Sequence, residues 1–162
     1  MTRQMIQANT IINAPIHLVW QAVNDPSLFE EGIDWVYKAW SEDGRPLQLG
    51  STYIEDAKPG LKQGIYRWEI TAFDPPHRAV HSHRGGELEA DIEVVCEAVD
   101  EQRTRYIQTM YFNALPVFRP LGFILERTIM KKQMQNDVDQ MILPNYKRII
   151  EQRYAASIHN NT

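Results

Sequence analysis

Cysteine is nearly missing from this chain: Cys96 is the single one among 162 residues, which excludes an internal disulfide. It sits in the strand pattern Ile92-Glu93-Val94-Val95-Cys96 and reads as a small buried hydrophobe, since a nucleophilic thiol needs an electropositive, partly exposed setting. Positive charge is also in short supply. The chain has 17 Lys and Arg against 21 Asp and Glu, a net charge of −4, and no lysine-arginine cluster, so nothing offers an electrostatic footprint for nucleic acid or a patch for a membrane surface. No apolar run approaches the ~20 residues that span a bilayer, and Met1 to Asn9 lack the apolar core of a signal peptide. The expectation is a cytoplasmic protein without membrane insertion or a nucleic-acid partner. Internal repeats, low-complexity stretches, glycine-rich phosphate loops, a serine nucleophile elbow and usefully spaced carboxylate pairs are absent too.

What remains is ordinary globular material: 43% hydrophobic residues in a length that fits one domain, expected over 1–156, with a frayed polar tail at 157–162. Gln4 to Ile12 alternate as a first strand ended by Asn13-Ala14-Pro15. Pro15 suits the first turn of a helix capped by Asn13 or Ala14, with Ile16, Val19, Trp20 and Val23 at helical spacing. Asp25-Pro26 stops that helix and starts another short one through Phe29. Strand signals follow at Trp35 to Glu42, Ser51 to Asp56, Lys62 to Phe73, Arg78 to Arg84, Glu87 to Ala98 and Arg103 to Phe112. They are separated by short turns, which make them antiparallel neighbours. From Pro120 to about Tyr154 the pattern is helical, with Leu121, Ile124, Leu125, Thr128, Met134, Val138, Met141, Ile142 and Ile149 on one face. Pro144 lacks a backbone donor and should kink or interrupt that helix near Met141.

The turns set the faces of the strands, because directly paired residues point the same way. A two-residue turn at Gly85-Gly86 pairs Arg84 with Glu87, Ser82 with Glu89, His83 with Leu88 and His81 with Ala90. Glu87, Glu89, Asp91 and Glu93 must face water, so Leu88, Ala90, Ile92, Val94, His81 and His83 face inward. A loop centred on Glu101 sets Glu97 opposite Arg105 and Cys96 opposite Tyr106, which turns Thr104, Tyr106, Gln108, Met110 and Phe112 inward. A loop of Asp74 to His77 puts Trp68 beside His83 and Ile70 beside His81. One long helix cannot cover so much sheet, so a sheet curled around it encloses a space whose wall carries Tyr66, Trp68, Ile70, His81, His83, Tyr106, Gln108 and Met110. Met134 and Met141 line it from the helix. Trp20 reads as core, and Trp35 and Trp40 face opposite sides.

The stretch from Ile12 to Pro26, strand, Ala14-Pro15, short helix with central Trp20, then Asp25-Pro26, resembles the opening of the START-like superfamily. These helix-grip, or SRPBCC, proteins include Bet v 1-type and polyketide cyclase/dehydrase-like members. The resemblance continues through Leu49-Gly50, the Asp74-Pro75-Pro76 turn and the last helix. It implies an α+β fold in which a seven-stranded curved antiparallel sheet grips the C-terminal helix around an apolar cavity. It does not imply a reaction, because the matching landmarks are structural.

His81 and His83 on one strand face have the spacing of two metal ligands, but the inward sets hold no carboxylate and no thiolate except the distant Cys96. Neither metal nor other cofactor is therefore expected. The leading reading is binding of a hydrophobic or amphipathic small molecule, for transport or sensing. The second is a cofactor-independent cyclase or dehydratase, with His81 and His83 as candidate acid and base and Tyr106 or Tyr66 on an enolate oxygen. The third is a co-chaperone-like interaction module using the acidic outer strand from Glu87 to Glu93.

Overall fold

The computed structural model describes residues 3–59, 63–85, 88–114 and 122–160. Strand β1 (Gln4–Ile12) leads into helices α1 (Ile16–Val23) and α2 (Pro26–Gly32). Strands β2 (Val36–Ser41), β3 (Thr52–Ala57), β4 (Gly64–Asp74), β5 (Arg78–His83), β6 (Leu88–Asp100) and β7 (Arg103–Ala114) follow, and then α3 (Gly122–Asp137), a π-helical turn (Val138–Ile142) and α4 (Leu143–His159). The strands form one antiparallel sheet in the order β1-β7-β6-β5-β4-β3-β2. From β2 to β7 every neighbour in the sheet is also the neighbour in sequence, as short turns demand.

Local chemistry explains the boundaries. Pro15 is itself the N-cap of α1, its carbonyl accepting from the N–H groups of Leu18 and Val19 at 3.0 and 3.2 Å, where the sequence pointed to Asn13 or Ala14. Asp25 caps α2 by accepting from the Ser27 N–H at 2.9 Å, with Pro26 in the first turn. Between α3 and α4, Pro144 offers no N–H to the carbonyl four residues back, and the Leu143 N–H bonds five residues back to Val138. The extra residue in that turn carries the register so that Val138, Ile142, Leu143 and Tyr146 all enter the core. Helices α1, α2 and α4 meet over one end of the sheet, closed by Trp20 against Phe73 at 5.2 Å and by the Tyr146 ring against Gly32. A Cβ at Gly32 would lie 2.6 Å from that ring, so the close approach requires glycine.

Several expectations need correction. The β5–β6 register is offset by two residues from the one that Gly85-Gly86 suggested: His83 stands opposite Ala90, Ser82 opposite Asp91 and His81 opposite Ile92. The connection is therefore longer than a two-residue turn. An even offset preserves the faces, so both histidines still point inward. Thr128 lies on the exposed side of α3, and the tail expected from Ser157 is helical through His159. The expectations for Glu87, Leu121, Ile124, Leu125 and the Leu88 side chain fall outside the described residues. Cys96 is buried opposite Tyr106 and Glu97 stands opposite Arg105, as read from the sequence.

Candidate functional site

The inner face of the sheet gathers its polar groups where β3, β4 and β5 run side by side. Tyr53 and Glu55 on β3 stand opposite Trp68 and Tyr66 on β4, and Trp68 and Ile70 stand opposite His83 and His81 on β5. The Tyr53 and Trp68 rings stack nearly parallel with centroids 6.2 Å apart, and Tyr66 meets His83 edge-on at 5.5 Å. The Trp68 Nε1–H donates to Glu55 Oε2 at 2.9 Å.

The two histidines lie in different surroundings. His81 Nδ1 is 3.0 Å from the Tyr53 hydroxyl, and Nε2 is 3.1 Å from Asn24 Oδ1. Asn24 Nδ2 donates to the Trp20 carbonyl at 3.0 Å, which leaves Oδ1 as the acceptor and puts the imidazole proton on Nε2. Both ring nitrogens are thus engaged, and burial pushes His81 down to about 4, keeping it neutral. His83 Nδ1 lies 2.9 Å from the Arg67 carbonyl, which can only accept, so Nδ1 carries a proton, and Nε2 has no partner among the described residues.

Glu55 is the inward carboxylate that the sequence reading did not place. Burial raises it to about 7, with the Trp68 hydrogen bond acting in the opposite direction. The hydroxyls of Tyr53 and Tyr146 are both pushed well up, first by burial and then by the charge of Glu55. Yet Glu55 keeps accessible surface, as do Tyr66 and the inward-facing Ile92 between buried Ala90 and Val94. Glu55 Oε1 has no partner among the described residues.

The other expected residues divide between this wall and the core beneath it. Ile70 is completely buried, and Tyr106 donates to Gln108 Oε1 at 2.9 Å beside the buried Met110. Met134 on α3 packs half-buried against the core, while Met141 in the π-helical turn has its sulfur held by the Asp34 N–H at 3.4 Å. Trp20 is core; Trp35 packs half-buried, and Trp40 is exposed with the Lys38 ammonium 5.6 Å over its ring. Tyr53, Glu55 and Tyr146 were missed. The alternation Tyr53-Ile54-Glu55 opposite Tyr66-Arg67-Trp68 was the available signal, but the stretch between Ala57 and Gly64 is too long for its sequence to fix the β3–β4 pairing. Separate from this wall, a shallow open depression on the outer side of α4 is lined by Pro144, Lys147, Arg148 and Glu151; it lacks the buried polar groups gathered on the sheet.

No protein-family model matches the chain, and no curated protein matches it in sequence. Solved structures do match. A protein from Thermus thermophilus is 18% identical with a TM-score of 0.72, over 95% of this chain and 99% of that one. The Zhui aromatase/cyclase from a Streptomyces species is 14% identical with a TM-score of 0.66, over 93% and 95%. A START superfamily protein from Mycobacterium smegmatis is 12% identical with a TM-score of 0.59, over 84% and 97%. Such identities speak to the fold alone. Seven curled antiparallel strands around a long C-terminal helix, matched over nearly the full length of these structures, give this chain the START-like, Bet v 1-like helix-grip fold.

Proposed function

We propose that this protein binds a hydrophobic or amphipathic small molecule between the inner face of its sheet and its C-terminal helix. One observation carries the reading: Glu55, Tyr66 and Ile92 point inside yet keep accessible surface, while residues beside them on the same face, Trp68, Ala90 and Val94, are buried. A core packed to ordinary density leaves no such surface on inward side chains. The wall combines aromatic area with a few polar atoms able to orient a ligand, which is the composition of small-molecule sites. An apolar fluorescent dye should therefore bind with one-to-one stoichiometry and quench tryptophan emission, and Trp68→Phe should remove most of the quenching. A dye that quenches Trp68→Phe as strongly as the unaltered protein would place the ligand elsewhere.

A second reading is favoured by the unpartnered Nε2 of His83 and by Glu55, raised to about 7, on the same wall, two groups suited to acid and base roles in a cyclase or dehydratase without a cofactor. Similarity in fold to an aromatase/cyclase is compatible with it. Turnover of a poly-β-ketone that is lost in His83→Gln would replace the binder with this enzyme. The interaction-module reading finds less support, because Asp91 is paired with Arg84 at 2.6 Å and with Arg3, and Glu93 with Arg78, so two of the acids on that strand are neutralised within the chain.

A further inference from the structure

Resting on the binder reading, we infer that the ligand is an amphipathic amine, its ammonium group set against Glu55 within the rings of Tyr53, Tyr66, Trp68 and Tyr146. Three observations converge on this class. Glu55 is a carboxylate on the inner face with one oxygen fixed by the Trp68 indole and the other without a partner among the described residues, so an acceptor waits for a donor. No lysine or arginine is buried among the described residues, so none of these supplies Glu55 with a counter-ion on the inner face. The surrounding groups are aromatic: Tyr66 directly opposite on β4, Tyr53 stacked on Trp68, and Tyr146 from α4 within reach of the Glu55 charge. The half-buried Tyr66 ring opposite Glu55 offers a face that attracts a cation in addition to its ion pair. An anionic ligand would meet a carboxylate and, among the described residues, no buried cation. A neutral alcohol would gain one hydrogen bond but leave the aromatic faces without a charge.

The groups that face Glu55 are Tyr53 on its own strand, Tyr66 on β4 with His83 beyond it, and Tyr146 on α4, while β2 presents Ala39 there. Of these the two tyrosines Tyr53 and Tyr146 are held protonated by burial, so the carboxyl is the group that must ionise to meet the ammonium. Amine binding should accordingly release a proton below pH ~7, strengthen as the pH rises towards that value and level off above it.

The test is displacement of an apolar dye by phenylbutylamine, phenylbutanol and phenylbutyrate. At pH ~8 the amine should displace the dye at least about tenfold more tightly than the alcohol, a difference of roughly 1.4 kcal/mol, with the acid weakest. That preference should shrink towards unity at pH ~5 in the unaltered protein and vanish in Glu55→Gln at pH ~8. The pH series needs no substitution, so it decides the matter even if Glu55→Gln folds poorly. An alcohol or acid that competes as well as the amine at pH ~8, or a preference that survives at pH ~5, overturns the amine and leaves the container standing. Failure of the dye and all three compounds to bind overturns both.

Discussion

Glu55 and His81 are neighbours on the inner wall through Tyr53, and each holds the protonation state that burial favours. Glu55 shifts from 4.5 in the open chain to about 7, and His81 from 6.5 to about 4. For Glu55, the folded state keeps a proton that the unfolded state has released between these values, so its contribution is present below 4.5 and lost as pH rises through 7. For His81, the unfolded state takes a proton that the folded state refuses, so its contribution is present above 6.5 and lost as pH falls through 4. Each shift corresponds to about 3 kcal/mol over its window, and the two act in opposite directions. Urea denaturation between pH ~4.5 and ~6.5 should show little dependence from this pair in the unaltered protein, a loss of stability with acid in Glu55→Gln, and a loss with rising pH in His81→Gln. Parallel slopes in both variants would contradict the assignment. His81 was legible in the sequence because its face follows from the acids on the next strand. Its engagement with Asn24 was not, since that contact joins residues 57 positions apart across a helix end. Glu55 was hidden for the opposite reason: a charged residue in an alternating strand reads as outward unless a turn fixes the register.

Among the elements, the last helix shows how a local rule becomes tertiary geometry. Pro144 announced an interruption near Met141, and the π-helical turn at Val138–Ile142 is its form. That turn seats Tyr146 over Gly32, joining α4 to α2, with the Tyr146 hydroxyl within reach of the Glu55 charge. Gly32→Ala should force the ring or α2 to move and destabilise the fold by about 1–3 kcal/mol, measured as a lower urea midpoint with an unchanged slope. A midpoint equal to that of the unaltered protein would mean the ring gives way freely. The hairpins carry the complementary lesson. The pairs read for Trp68 with His83, Ile70 with His81, Glu97 with Arg105 and Cys96 with Tyr106 hold because a bulge between Ile70 and Ala72, and another between Ala98 and Asp100, takes up a one-residue difference beside each turn; Gly85-Gly86 gave the correct faces with pairs offset by two, because parity survives an even slip and pair identity does not. The Thr128 side of α3 was misread where the helical stripe was extended past the residues that packing enforces.

At the scale of the whole molecule, the run from β2 to β7 was legible because short turns dictate antiparallel neighbours and a long C-terminal helical stretch remained to fill the curl, whereas the pairing of β1 with β7 joins the first strand to the last across no turn and was not read from the residues. The chemistry of the interior was only half legible: the aromatic and histidine positions followed from alternation, and the carboxyl group that gives the wall its charge came from a contact between β3 and β4. On the proposed reading, the interior of this fold receives one small molecule against the Glu55–Trp68 wall. Native mass spectrometry of the protein, as purified and after addition of an apolar dye, is the decisive measurement. A one-to-one adduct is expected in at least the second sample, ejected as the protein unfolds in the gas phase; a bare chain mass in both, at dye concentrations far above those of the protein, would rule the binding site out.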